Sequence, residues 1–421
     1  MRKLFLLLLA PILAFCCNGN NPGPETGPDD SGEKPVVETP SSITGSFIQQ
    51  WYISGWSDTM WDREMDYLSA AGMEYLIFTP VKKNDGDPDY ASLERCLKSA
   101  KSHGIKVFVG TNANDRWWEQ DLPSATLDAF MQEGLSIAKE AYQRFHKTYA
   151  DSFYGWYWDW EVDNVNWTSR TDVLAKAWNI TLDGLTSLDS SMPLLFSPFM
   201  NPTYGTAAGY RDFWKKLFPL LHLRKGDIFA PQDCVGSGYL TTVTEKTWFY
   251  QLAEAAKTVD GLAFWANIEN FQQFKVFGED RFVTAPFSRM IKQKEAVESF
   301  VERIICFAYS HYYSPLLVRE DYHKAYLEYV KSGSSPTPGV PGRVNSAVKE
   351  VGTGVALTWS IVTKTDVDGF AIYKNGSLLI KLQVMQDSFP GYFFDYEGKS
   401  SDSYQISAYN INGEESAKVS F

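Results

Sequence analysis

From residue 46 to about residue 330 the chain repeats one pattern eight times: a short apolar run of strand composition, then a longer amphipathic segment that opens near a capping residue and often stops at Gly. Few architectures accept so regular an alternation, because each strand must be followed by a helix that folds back over it. The strand runs fall at residues 47–53, 73–81, 105–111, 153–161, 194–199, 227–234, 261–269 and 304–312. Helices are expected at 58–71, 89–103, 124–148, 169–188 and 286–303, helical segments follow the fifth and sixth strands, and a segment at 320–330 closes the ring. Eight units over roughly 285 residues match the size and order of a (β/α)8 TIM barrel. The competing open, doubly wound sheet would be expected to carry a G-x-G-x-x-G loop after its first strand, and none occurs there.

The flanks have other compositions. Residues 1–17 begin with Arg2 and Lys3 and continue as a short apolar run, a pattern expected of an export signal and too short to span a membrane as a mature helix. Leu13-Ala14-Phe15-Cys16 resembles a bacterial lipobox, which implies a lipid on Cys16 or Cys17 and attachment to the outer membrane by that anchor alone. Residues 18–45 are rich in Asn, Gly, Pro, Ser and acids, a tether too polar to build a core. The barrel is expected over 46–331 and a Pro-, Gly- and Ser-rich linker over 332–342.

After that linker the period changes from helical to two, with alternating runs around residues 355–359, 369–376 and 403–409 and a hairpin signal at Asn375-Gly376. A small all-β sandwich over 343–421 follows. Its Leu357-Thr358-Trp359 run, its 369–376 run and its 404–409 run resemble a fibronectin type III domain, which implies a spacer or accessory module with Trp359 in its core.

A net charge of -12 argues against a nucleic-acid partner, because phosphate binding needs clustered Lys and Arg. Cys96, Cys234 and Cys306 lie far apart, and none of the five histidines forms a short pair, so neither a disulfide framework nor a zinc site is expected. These thiols read as buried. Nothing in the sequence sets an oligomeric state, and a monomer is expected.

The chemistry concentrates at two strand ends. In the run 154–164, Trp156, Trp158 and Trp160 share one face and Tyr157, Asp159 and Glu161 the other. In the seventh run Trp265, Asn267 and Glu269 share a face. In a parallel barrel the C-terminal ends of strands four and seven open into the mouth where active sites sit. Two carboxyl groups facing across that mouth suit glycoside cleavage, in which one protonates the departing oxygen and the other attacks the anomeric carbon or activates water. Neither a metal nor an organic cofactor is needed. Asp159, Glu161 and Asp163 on one strand supply only two inward oxygens, a poor calcium site. Trp51, Trp56, Asn112, Trp117, Gln232, Trp265 and Asn267 are candidates for sugar contact, since sugars offer apolar faces and outward hydroxyls.

These strand-end glutamates resemble those of the retaining barrel glycosidases, which place an acid/base after strand four and a nucleophile after strand seven. The resemblance implies those roles for Glu161 and Glu269, although Trp160 stands where that superfamily usually has Asn. The run from Tyr154 to Glu161 also resembles the chitinase-like motif Asp-Gly-x-Asp-x-Asp-x-Glu, keeping Gly155, Asp159 and Glu161. That likeness implies that Asp159 helps the substrate's own acetamide act as nucleophile. Leader, barrel and sandwich together resemble glycosidase-like lipoproteins of glycan-foraging bacteria, and a non-catalytic glycan-binding lipoprotein is the alternative from outside the enzymes.

Overall fold

The computed structural model describes residues 42–119, 121–386 and 388–421. The signal segment, Cys16, Cys17 and nearly all of the expected tether lie outside the described residues. Eight parallel strands close a barrel: β1 Ile43–Gln49, β2 Tyr75–Thr79, β3 Lys106–Gly110, β4 Phe153–Trp158, β5 Leu194–Phe196, β6 Ile228–Phe229, β7 Ala263–Glu269 and β8 Arg303–Phe307. Each pairs with its sequence neighbours, and β8 returns to β1 through Ile43↔Ile304 and Ser46↔Cys306. The helices outside are α1 Asp58–Ala70, α2 Tyr90–His103, α3 Ser124–Ala141, α4 Thr171–Leu188, α5 Ala207–Leu217, α6 Glu245–Ala256, α7 Phe287–Val297 and α8 Glu320–Ser332.

Local chemistry sets these boundaries. Asp89 caps α2 by accepting from the Ser92 amide at 3.0 Å, and Gly104 ends it with φ +69°, a left-handed conformation that costs glycine little. Ser57 caps α1 in the same way from Met60 at 3.3 Å. Side-chain alternation then divides the core in two. Phe47, Tyr75, Ile77, Phe108, Tyr157, Leu195 and Trp265 fill the barrel, while Trp156, Trp158 and Val109 face the helices, where Trp158 meets Trp178 of α4 edge-on at 5.1 Å.

β1 departs from expectation. It begins at Ile43, inside the stretch expected to be tether, and gives way after Gln49 to a 3₁₀ turn over Gln50–Tyr52. Its ladder with β2 ends at Gln49↔Thr79, so residues 50–53 have no strand partner and carry the chain to the rim. β5 and β6 are also shorter than their apolar runs, although backbone bonding runs on past them: the Ala230 and Gln232 amides donate to Phe196 O and Pro198 O, and Gln232 bridges to Asn267 at the mouth. Between β7 and α7 an antiparallel hairpin, Phe271–Val276 and Glu279–Thr284, stands where no element was expected.

Beyond α8 two sheets form the C-terminal all-β unit: β9 Val344–Val351, β10 Val355–Ile361 and β13 Tyr392–Asp395 in one, and β11 Gly369–Lys374, β12 Ser377–Gln383, β14 Tyr404–Tyr409 and β15 Val419–Ser420 in the other. Trp359 is in its core, and Asn375-Gly376 turn with φ +51° and +84°. This unit is docked on the barrel. Tyr322 Oη of α8 donates to Asp368 at 2.7 Å, the Phe287 amide to Ile411 O at 2.8 Å and Gln386 Nε2 to Leu316 O at 2.8 Å.

Candidate active site at the barrel mouth

Strand parity delivers the acids to one place. Asp159 and Glu161 continue beyond the end of β4 and open into a cleft at the C-terminal mouth, and β7 brings Asn267 and Glu269 to the same cleft. Trp51, Trp118, Phe271, Phe282 and Phe307 give it apolar walls, and Gln49, Thr79, Gln232 and Asn267 add polar groups.

Asp159 fits beneath Glu161 because the barrel wall is thin there. A Cβ on Gly110 would come within 2.7 Å of Asp159 Oδ2 and 2.8 Å of Thr79 Oγ1. Thr79 Oγ1 donates to Asp159 Oδ1, and Asp159 Oδ2 is buried without a partner. Burial raises this carboxyl to about 8 against the Thr79 hydroxyl and the Thr111 amide, and Glu161 pushes it the same way. Burial raises Glu161 to about 7, with the Gln232 amide pulling down and Asp163 pushing up. The main chain of Glu161 is fixed by Trp117, whose Nε1 donates to its carbonyl at 2.6 Å.

Glu269 sits in a different setting. The Ser237 amide donates to its Oε2 at 2.7 Å, and Gly236 packs so closely that a Cβ would meet Glu269 Cβ at 2.7 Å. Arg289 Nη2 of α7 donates to the Glu269 carbonyl at 3.0 Å and also to the Phe271 carbonyl. Burial and then Asp233 push the Glu269 carboxyl up, while the Ser237 amide and the Arg289 guanidinium oppose them. Glu269 therefore has a hydrogen-bond donor and a cation that favour its anion, but burial and Asp233 outweigh them and hold it up at about 8; Glu161 has a neutral amide in their place.

The remaining candidates divide. Trp51 lines the cleft with Lys83 Nζ 4.7 Å from its ring centroid; Gln232 reaches Glu161 and donates from Nε2 to Ser197 O at 2.9 Å; Asn267 donates to Ser197 Oγ at 2.9 Å. Trp117 also lines it, although its ring is buried and stacked on Trp167 at 4.6 Å. Trp56, Asn112 and Trp265 do not line the cleft. Trp56 immediately precedes the cap of α1 and packs on Trp61 at 5.2 Å, a hydrophobic staple. Asn112 turns back to α3, donating to Phe130 O at 3.1 Å and Glu133 Oε2 at 3.0 Å, because the chain leaves β3 at Gly110. Trp265 has the same parity as Glu269, but lies four residues earlier, about 13 Å down the strand at ~3.3 Å per residue, and packs on Tyr75 inside the barrel.

Several lining residues have no counterpart among the expected ones: Gln49, Thr79, Phe271, Phe282 and Phe307, with Ser237 and Arg289 behind Glu269. None of them left a period-two trace in the sequence: even across the hairpin, Gln272-Gln273, Glu279-Asp280-Arg281 and Phe282-Val283 break the alternation that would have marked its strands. Asp163 is a turn cap, accepting from the amides of Val165 and Asn166 at 2.9 and 2.6 Å. Among the described residues no group of three metal-ligating side chains occurs, and no helix is long and apolar enough to cross a membrane. Cys96, Cys234 and Cys306 are buried free thiols.

Fold and site define a closed parallel barrel with paired acids at its C-terminal mouth. The chain belongs to the family described as a domain of unknown function, DUF4434, which matches residues 43–318. No curated protein matches it. Among solved structures it is similar to a "putative alpha-L-fucosidase" from Bacteroides thetaiotaomicron VPI-5482, at 18% identity and a TM-score of 0.58 over 73% of this chain and 99% of that one. A family 39 glycoside hydrolase from Bacteroides cellulosilyticus WH2 aligns at 10% identity and a TM-score of 0.46, over 90% and 81% of the two chains. A family 5 glycoside hydrolase from Bacteroides vulgatus ATCC 8482 aligns at 11% and 0.42, over 87% and 89%. The first of these likenesses is one of fold.

Proposed function

We propose that the chain is a glycoside hydrolase acting by retention on a polysaccharide or glycoconjugate, with Glu161 as acid/base and Glu269 as nucleophile. The observation that supports this reading is that the two carboxyls, delivered from the ends of β4 and β7, line one cleft with aromatic walls. The division of roles follows strand position, Glu161 standing after β4 and Glu269 at the end of β7. The Ser237 amide and the Arg289 guanidinium favour the ionised form a nucleophile needs, against the burial and the Asp233 charge that hold the Glu269 carboxyl up at about 8. Glu161 has no cation beside it and is raised to about 7 by burial, which suits a group that gives a proton and then takes one back.

In the first half-reaction Glu161 protonates the glycosidic oxygen as Glu269 attacks the anomeric carbon, forming a glycosyl ester and releasing the aglycone. Glu161, now ionised, then takes a proton from water, which attacks the same carbon and frees Glu269. The experiment is to follow the anomeric configuration of fresh product by NMR and the effect of azide on Glu161→Ala and Glu269→Ala. Retained product, with a glycosyl azide of retained configuration from the first variant and inverted configuration from the second, fits this assignment. Inverted product from the wild type contradicts it.

Asp159 favours a second reading. Its buried, unpartnered Oδ2 beside Glu161 suits orienting a substrate acetamide, with Glu161 still the proton donor. Full activity of Glu269→Ala on N-acetylated substrates alone would select that route. The lipid anchor at Cys16 or Cys17 and an outer-membrane location complete the proposal, and labelling by a lipid precursor that is lost on replacing both cysteines would test it.

A further inference from the structure

The hairpin after Glu269 sorts its side chains onto two bodies. Phe271 and Phe282 line the cleft, their rings edge-to-face at 5.4 Å. Val276, almost fully buried, and Phe274 pack into the core of the C-terminal sandwich. The ladder pairs Gln273↔Phe282 and Phe274↔Arg281, so alternation turns one face of the ribbon to the cleft and the other to the sandwich. A lone two-stranded hairpin is marginal in water, and the conformation of this one depends on what holds it.

The turn shows where it is held. Phe277 and Gly278 have φ +53° and +78°, a type I′ turn in which the first position favours Asn or Gly, and a bulky side chain there is strained. The Phe277 ring lies 4.1 Å from Tyr396 and 6.3 Å from Phe393, packed on the sandwich core. Docking of the ring offsets the unfavourable backbone. At the open end Gln383 of β12 grips Thr284 twice, accepting from its amide at 2.9 Å and donating to its hydroxyl at 2.7 Å, and Lys381 donates to Gln272 at 3.2 Å.

We propose that the sandwich shapes the binding cleft through this hairpin: Phe271 and Phe282 form a wall that stacks on the apolar face of a sugar beside Glu269, and Phe277 and Gln383 are positioning residues that hold the wall from the sandwich side. The ligand class rests on the glycosidase reading; the mechanical coupling does not. The sandwich is then a component of the site rather than a spacer.

The test uses the full chain. Hydrogen–deuterium exchange over residues 269–284 is compared in wild type, Phe277→Asn, Gln383→Ala and the control Val348→Ser, an exposed position on β9. Asn suits the left-handed turn better than Phe, so a purely local account predicts a slower-exchanging hairpin. Docking predicts exchange about tenfold faster in Phe277→Asn and Gln383→Ala, with the control unchanged. Unchanged or slower exchange in Phe277→Asn overturns the proposal. The same variants and Phe282→Ala are then titrated with neutral plant- and host-type oligosaccharides. A rise in Kd or KM of about three- to tenfold in all three, with kcat within about twofold, supports the coupling; a change in Phe282→Ala alone overturns it. Absence of wild-type binding to every member counts against the glycan reading, and the exchange result still decides the coupling.

Discussion

Glu161 and Glu269 carry the account at the scale of single residues, and their surroundings predict a pH profile. A proton donor raised to about 7 loses its proton as pH rises through that value, so kcat/KM should fall above about pH 7. Glu161→Gln should lower kcat by about 10²- to 10⁴-fold and remove the alkaline limb. A limb that persists in this variant would assign it to another group. Glu64 of α1 gives a stability prediction away from the cleft. Its Oε2 accepts from Ser314, its Oε1 has no partner, and burial raises it to about 7. Because the folded pKa exceeds the unfolded value of about 4.3, its stabilising contribution is complete below about pH 4.3 and is lost as pH rises through about 7. Thermal melts of Glu64→Gln should therefore fall less steeply than those of wild type between about pH 5 and pH 8, and equal slopes would contradict this.

At the scale of elements, close packing of loops against strand ends fixes where the carboxyls point. A Cβ on Gly236 would meet the Phe271 carbonyl at 2.6 Å and Glu269 Cβ at 2.7 Å, both short of any real contact. Gly236→Ala should cut activity by about tenfold or more through displacement of Glu269, while Tm changes by only a few degrees. Unchanged kcat/KM would show that Glu269 needs no such fit. Elements also mark what could be read in advance. Period-two parity placed Asp159, Glu161, Asn267 and Glu269 on inward faces before any coordinates, because alternation is a property of the backbone. Depth was not legible: Trp265 shares that parity but sits below the mouth, since strand ends are set by neighbouring strands. Trp56 could have been recognised as a staple from Ser57 and Trp61 alone. The turn of Asn112 toward α3 and the cleft contact of Thr79 arise from partners distant in sequence, and Phe271 and Phe282 sit on a hairpin whose residues lack a regular alternation.

The whole molecule joins a barrel to a sandwich through named polar and apolar contacts: Tyr322 to Asp368, Gln383 to Thr284, and Val276 and Phe277 into the sandwich core. The eightfold alternation announced the barrel, and the change of period after residue 342 announced the second unit, but their mutual dependence was not visible because it runs through an unexpected hairpin. Cutting the chain after residue 332 would bare Val276, Phe274 and Phe277, so the truncated barrel should give a poorer soluble yield and an earlier melt than the full chain. A truncated barrel with unchanged Tm would show that the two units are independent.

The central claim is that one cleft with two glutamates breaks glycosidic bonds. The measurement that tests it most directly is product release from a panel of plant and host glycans by wild type, Glu161→Ala and Glu269→Ala under the same conditions. The account predicts oligosaccharide or monosaccharide release by wild type on at least one glycan and its loss in both variants, with all three proteins equally folded. No release by wild type from any glycan, alongside measurable binding, would contradict it and leave a glycan-binding protein in its place.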